Sequence, residues 1–150
     1  MNSEMFAVNE ERYLKFIYQK QLEEPGKVRT TVIATSFGVK AATVTEMLQK
    51  LSQKGLLRYT RYRGVDLTTK GVTKTQKLLR KHRLLEVLLV RFLNYTFHKA
   101  CEEATKLEHH VSKKLVNAIC QAYDHPDLCP CNKAILKDSE CCDTKLLYEN

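Results

Sequence analysis

The chain has 150 residues with an ordinary globular balance, 43% hydrophobic and 28% charged, which suits one or two small domains with packed cores. No apolar run approaches the roughly 20 residues that span a bilayer, and Met1-Asn2-Ser3-Glu4 shows no signal-peptide pattern, so membrane and secreted classes are not expected and a cytoplasmic protein is. Without an export signal, six cysteines read as reduced thiols or metal ligands in preference to a disulfide framework.

The formal net charge of +8 is unevenly spread. Residues 1–83 carry 17 Lys/Arg against 7 Asp/Glu, whereas residues 84–150 carry 8 against 10. All six cysteines, at positions 101, 120, 129, 131, 141 and 142, fall in the second part. A basic first part suits a polyanion, and a near-neutral second part bearing Cys and His suits metal or redox chemistry.

In chain order, Glu10 to Glu24 reads as a helix, with Leu14, Ile17, Tyr18 and Leu22 near helical spacing and Pro25-Gly26 as its stop. A short apolar piece, Thr31 to Phe37, precedes a turn at Gly38. Ala41 to Lys54 places Val44, Met47, Leu48 and Leu51 at i, i+3, i+4, i+7 and stops at Gly55. Helix, Gly turn and helix make a helix-turn-helix. Leu57 to Thr60 and Val65 to Thr68 then flank Arg61-Tyr62-Arg63-Gly64 as a hairpin with a basic tip, which is a wing. This order places a recognition helix in a DNA major groove with wing arginines on phosphate. The expected DNA-facing set is Lys40, Ala42, Thr43, Thr45, Glu46 and Lys50, with Arg61 and Arg63 of the wing. Read blandly, these are solvated surface positions; the element order and the charge favour DNA.

Thr68 or Thr69 can cap a long helix to about Asn94, with the stripe Leu78, Leu85, Leu89 and Phe92. His82 lies inside that stripe and shares a face with Glu86 at i, i+4, close enough to hold one metal ion. Alone, such a His is more often a hydrogen-bonded core residue than a ligand. A helix from about His98 to His110 shows Cys101, Thr105, Glu108 and His109 opposite Ala100, Ala104, Leu107 and Val111, a half-site for a divalent metal. A further helix, about Ser112 to Tyr123, carries Leu115, Val116, Ile119, Cys120 and Tyr123 along one stripe, where Cys120 reads as a small core residue. Two short apolar helices behind a winged helix suit dimerisation. The tail holds Cys129, Cys131, Cys141 and Cys142 at no standard zinc-finger spacing, which leaves an iron–sulfur cluster, Zn²⁺ or incidental thiols open.

The segments Glu10-Glu-Arg-Tyr-Leu-Lys-Phe-Ile-Tyr18, Val44-Thr-Glu-Met-Leu48, Leu67-Thr-Thr-Lys-Gly71, Arg80-Lys-His-Arg-Leu-Leu-Glu86 and Leu107-Glu-His-His-Val-Ser112 together resemble the diphtheria toxin repressor family. The resemblance covers about residues 9–136 and is closest to the short, two-domain type without an SH3-like domain. It implies a mainly α fold, with a winged helix-turn-helix domain over residues 1–72, a helical metal-binding and dimerisation domain over 73–136, and a Cys-containing tail over 137–150. It implies a homodimeric repressor of iron or manganese homeostasis genes that binds operator DNA under control of Fe²⁺ or Mn²⁺. By the family pattern the metal roles fall on His82, Glu86, Glu108, His109 and Cys101. The family's other ligand positions fall on Arg12, Lys15 and Thr105, and Arg12 cannot ligate because it stays protonated with no lone pair to offer. One of the family's two metal positions is therefore expected to be lost, with Arg12 and Lys15 pairing with Glu108 or Glu102 in its place. The alternative signal is an iron–sulfur cluster on the tail cysteines. A metallo-hydrolase built on Glu108-His109-His110 is not expected, since neighbouring histidines leave a helix in different directions and no nucleophile or oxyanion motif accompanies them.

Overall fold

A computed structural model describes the backbone of residues 3–142 and the side chains of residues 5–142. The chain divides into two compact units between Gln76 and Lys77. That division lies inside a continuous helix, four residues beyond the boundary expected from the sequence, because an unbroken helical pattern carries no mark where one core ends and the next begins.

The first unit is built from α1 (Ser3–Glu23), α2 (Thr30–Phe37), α3 (Ala41–Gln53), β1 (Leu57–Thr60), β2 (Gly64–Leu67) and the start of α4 (Thr69–Arg91). α1 buries Tyr13, Leu14 and Ile17 against Ile33 of α2 and Val44, Leu48 and Leu51 of α3. Leu22, expected on the same stripe, lies in the last turn and is 68% exposed. The Phe37 ring meets Tyr13 and Phe16 edge-on, with centroids 4.7 and 5.2 Å apart. Gly38 then takes the left-handed conformation that closes α2, at φ 63°, its N–H donating to Thr35 O and that of Val39 to Ala34 O. Across the end of α3, Lys54 Nζ binds both oxygens of the buried Glu10 carboxylate at 2.6 and 2.8 Å.

β1 and β2 pair antiparallel from Leu57–Leu67 to Thr60–Gly64. Val28 adds a short bridge on the far side, exchanging both backbone hydrogen bonds with Val65 at 3.0 and 2.9 Å. Thr68 links hairpin to helix: its hydroxyl donates to Gly55 O and accepts from Gly71 N, capping α4. Gly71 sits so close to the β1 entry that a Cβ there would lie 1.9 Å from Leu56 O.

The second unit comprises the rest of α4 with α5 (Phe97–Leu107), α6 (Lys113–Ala122) and α7 (Ser139–Cys142). Leu84, Leu85, Val87 and Leu89 of α4 pack with Ala100 and Ala104 of α5 and with Val116 and Ile119 of α6. The two alanines are fully buried, and their small side chains let α5 approach α4 closely. Thr96 and Ser112 cap α5 and α6 through their side chains. Phe92, expected on the core stripe, is instead 70% exposed, because α4 ends at Arg91 and the chain turns away before the stripe completes another turn. The expected separate tail is also corrected as far as residue 142. Residues 139–142 form α7, and Cys141 is buried in the second core; the rest of the tail, 143–150, lies outside the described residues.

Gly71→Ala is expected to destabilise the first unit by about 3 kcal/mol, because the backbone carbonyl of Leu56 cannot yield as a flexible side chain would. Urea unfolding of the full chain measures it, and a loss below about 0.5 kcal/mol would contradict the packing described.

Candidate DNA-binding surface and metal centre

On the first unit, the start of α2, the exposed side of α3 and the wing enclose an open groove of about 1020 Å³. Ala42, Thr45 and Glu46 of α3 and Arg61 of the wing line it, as the sequence suggests. Arg29, Thr30, Thr31, Gln49 and Tyr62 line it too, and the sequence reading missed them. Lys40 and Thr43 are exposed on α3 outside these walls, and Arg63 is exposed at the wing tip. Lys50 is not brought to the groove. Its ammonium lies 4.9 Å from the Phe6 ring of α1, one turn further along α3 than Glu46.

Both helices that open on this groove break an ordinary rule of helix design. α2 begins after Arg29 and α3 after Lys40, with no side-chain cap and no acidic residue in either first turn. Cations at a helix N-terminus work against the macrodipole and leave backbone N–H groups unfilled. A phosphate oxygen reverses both penalties. This missing cap was the available sequence signal for Arg29.

On the second unit, His82 and Glu86 of α4 and Cys101 of α5 bring Nε2, a carboxylate oxygen and Sγ together within 4.8 Å of one another. Nε2 is 3.3 Å from Glu86 Oε1 and 3.6 Å from Cys101 Sγ. Cys131 Sγ lies 3.6 Å from the same Glu86 oxygen. Donors bound to one divalent ion at about 2.0–2.3 Å stand about this far apart, so the set fits a metal. Glu108 does not join the three. Its carboxylate, 1% exposed, takes the other ring nitrogen, Nδ1, at 2.6 Å, and its second oxygen is 3.5 Å from His109 Nε2. Glu108 therefore holds the His82 ring from the Nδ1 side with Nε2 directed at Glu86 and Cys101, an arrangement like the carboxylate–histidine pairs found behind bound metals. Of the expected ligands, Glu108 and His109 lie on the Nδ1 side of His82, apart from the three-atom group.

Burial pushes the Glu86 carboxyl upward, but hydrogen bonds from His82, Cys129 and Cys101 outweigh it and hold the group below its ordinary value. Burial, with the Glu86 charge adding to it, raises the thiols of Cys129 and Cys131. These thiols stay protonated until a dication displaces the proton. Thr105 turns its hydroxyl onto Cys101 O at 2.8 Å, back along its own helix, and Arg12 in the first unit lies 5.5 Å from the Phe37 ring centre.

The expected gathering of Cys129, Cys131, Cys141 and Cys142 around one cluster is not found. A tight turn, in which Cys129 N–H bonds Lys133 O and Asn132 N–H bonds Cys129 O, holds the first two beside Glu86. Cys141 and Cys142 gather with Cys120 and His125. The loop after Cys131 leads from the first pair to the second, and no group among the described residues brings the four thiols together.

Glu108→Gln is expected to weaken metal binding at His82, Glu86 and Cys101 about 10–100-fold while leaving the number of ions bound unchanged. His82→Ala should remove that binding. Competition of the full chain against a fluorescent chelator with Mn²⁺ and Co²⁺ reads both; an unchanged affinity in Glu108→Gln would refute the orienting role.

Two family models match the chain. The N-terminal DNA-binding domain of iron-dependent repressors matches residues 5–65, and the metal-binding and dimerisation domain of the same repressors matches residues 68–137. A helix-turn-helix-type transcriptional regulator of Methanocaldococcus jannaschii is 37% identical over 109 residues, 73% of this chain and 87% of the relative. The regulator MntR of Bacillus subtilis is 36% identical over 109 residues, 73% of this chain and 75% of the relative. Among solved structures, a manganese-dependent transcriptional repressor in complex with manganese superposes with a TM-score of 0.78 at 34% identity, covering 87% of this chain and 59% of that one.

Proposed function

The chain belongs to the iron-dependent repressor family, a family of DNA-binding transcriptional regulators and not of enzymes, and on that premise we propose that it is a cytoplasmic, homodimeric repressor whose operator affinity rises when a divalent ion binds His82, Glu86 and Cys101. The observation that carries this reading is the convergence of His82 Nε2, Glu86 Oε1 and Cys101 Sγ with Glu108 behind the imidazole.

The ion is Fe²⁺ in preference to Mn²⁺. Carboxylate, carbonyl and water suit Mn²⁺, whereas thiolate and imidazole favour softer ions. Here one thiol belongs to the donor set, a second lies 3.6 Å from its carboxylate, and Cys129 bonds that carboxylate too. When bound, the metal supplies charge neutralisation and a rigid tie between α4 and α5. The chain's own part is to fix the imidazole through Glu108 and to exclude water with the surrounding leucines.

DNA would enter the groove between α3 and the wing, with Thr45 and Glu46 toward base edges and Arg29, Arg61 and Arg63 on phosphates. A second copy of the chain would cover Phe92, Leu93 and Phe97, an exposed apolar strip where α4 turns into α5. This fits the dimerisation role of the matching family domain.

Operator binding measured anaerobically should tighten with Fe²⁺ at lower free concentration than with Mn²⁺, and Cys101→His should narrow that preference at least tenfold. An unaltered preference in Cys101→His, or no metal response at all, counts against the reading. Arg61→Ala should weaken operator binding and make the plot of log affinity against log salt shallower by about 1 unit. Phe92→Glu should give monomers in sedimentation and lose operator affinity together; a dimeric Phe92→Glu protein would place the interface elsewhere.

A further inference from the structure

The second unit holds another set of donor side chains, separate from the one used above. Cys120 from the end of α6, His125 just after it, and Cys141 and Cys142 of α7 place four ligand atoms within 4.8 Å of one another. Cys120 Sγ is 3.4 Å from His125 Nδ1 and 3.9 Å from Cys142 Sγ, and Cys141 Sγ is 3.8 Å from His125 Nδ1. A tetrahedral zinc ion with bonds of about 2.3 Å to sulfur and about 2.0–2.1 Å to nitrogen separates two sulfurs by about 3.8 Å and a sulfur from a nitrogen by about 3.6 Å. The three separations are edges of such a tetrahedron. The four thiolates of a [4Fe–4S] cluster, each on a different iron, would stand much farther apart.

The backbone builds this gathering deliberately. Asp124 and His125 both adopt left-handed conformations, at φ 56° and 50°, and His125 N–H bonds Cys120 O at 2.8 Å, which folds the chain back over the end of α6. Asp138 O accepts the N–H groups of Cys141 and Cys142 at 3.0 and 2.7 Å, and its carboxylate caps Glu140 N at 3.0 Å. Lys113 of α6 ties Asp138 and Glu140 down at 3.3 and 2.7 Å.

An independent sign comes from Arg80, which is only 6% exposed. Its Nε donates to Leu136 O at 3.0 Å and its Nη1 to Asn117 Oδ1 at 2.8 Å, but Nη2 is buried with no hydrogen-bond partner. Asn117 is also the residue whose carbonyl Cys141 Sγ meets at 3.6 Å, and the guanidinium is among the groups that hold the Cys142 thiol down. A buried cation with an unused donor calls for an anion nearby. The Asp138 carboxylate supplies charge near the guanidinium, and thiolates held on a dication would add a partner for Nη2.

We propose that Cys120, His125, Cys141 and Cys142 form a closed Cys₃His site for Zn²⁺, distinct from the His82–Glu86–Cys101 centre, with Arg80 as its counter-charge. Three thiols lose their protons to solvent, the neutral imidazole gives Nδ1, and no electron is transferred. The resulting centre carries one net negative charge, which the buried Arg80 balances. All four positions are filled by protein, so the ion has a structural role: it pins α7 and the loop after α6 to the rest of the unit.

The test uses the full chain, purified reduced and anaerobically, with Zn²⁺ as the probe. A His82→Ala/Glu86→Gln variant is expected to keep one zinc per chain, and adding Cys142→Ser to it should lose that ion. In the unmutated chain, Zn²⁺ should slow alkylation of Cys142 at least tenfold relative to chelator-treated protein, read residue by residue by mass spectrometry, with Cys120 and Cys141 protected in step. This second measurement holds even where Cys142→Ser fails to fold. Retention of the zinc by the triple variant, or equal alkylation of Cys142 with Zn²⁺ and with chelator, overturns the proposal.

Discussion

The second unit depends on a single constraint: His82, Glu86 and Glu108 are buried together beside an apolar core built largely of leucine, valine, isoleucine and alanine. A buried charge without partners costs several kcal/mol, so each must be satisfied by the others or by an ion. The 2.6 Å bond between His82 Nδ1 and Glu108 satisfies one side of the ring. The other side looks onto Glu86 and Cys101, where two donors and a low-lying carboxyl remain to be shared. Ala100 and Ala104 serve this constraint, because only small side chains let α5 come near enough to α4 for Cys101 and Glu108 to reach the same imidazole from opposite sides. Packing and metal chemistry are thus one design problem in this unit.

The first unit shows the opposite economy. Its buried carboxylate, Glu10, is paired with the half-exposed Lys54, and its core is aromatic and aliphatic. What it leaves incomplete lies on the surface, at the uncapped starts of α2 and α3. α5 and α6 in the same chain are capped by Thr96 and Ser112, so the sequence supplies caps where stability alone decides. Basic residues stand in the cap positions only where a polyanion is to be met. Local rules give way at functional sites, and here they give way in a manner that names the ligand's charge.

Much of this was legible in the residue order. Helical spacing located α3 to within a residue, the Arg61–Gly64 tip marked the wing, and the i, i+4 relation of His82 and Glu86 marked half of the metal centre. The remainder depended on geometry that spacing does not encode. Lys50 shares α3 with Glu46 but faces α1, which only the packing of the two helices decides. Cys120 satisfies a core stripe and is indeed buried, so periodicity had no reason to give it a second role. Its partners arrive through two consecutive left-handed residues that are not glycine, a backbone turn without a composition signal. The pairing of Cys131 with Glu86 and not with Cys141 likewise follows from the short turn at Cys129–Lys133.

That turn also connects the two donor sets. The segment from Cys129 to Leu136 begins beside Glu86 and ends with Leu136 O on Arg80, and Arg83 donates to Ala134 O between them. Arg80, Arg83 and Glu86 are spaced three residues apart on α4, so one helix face grips the whole segment. Whatever fixes Arg80 fixes the far end of the loop that delivers Cys131 to the first centre. A closed zinc site beside Arg80 would therefore set the softness of the regulatory site without touching its ligands, by holding a thiol within reach of Glu86. Carboxylate and imidazole alone leave Mn²⁺ and Fe²⁺ close together, and on the function proposed above the position of this one loop would tip the choice toward the softer ion.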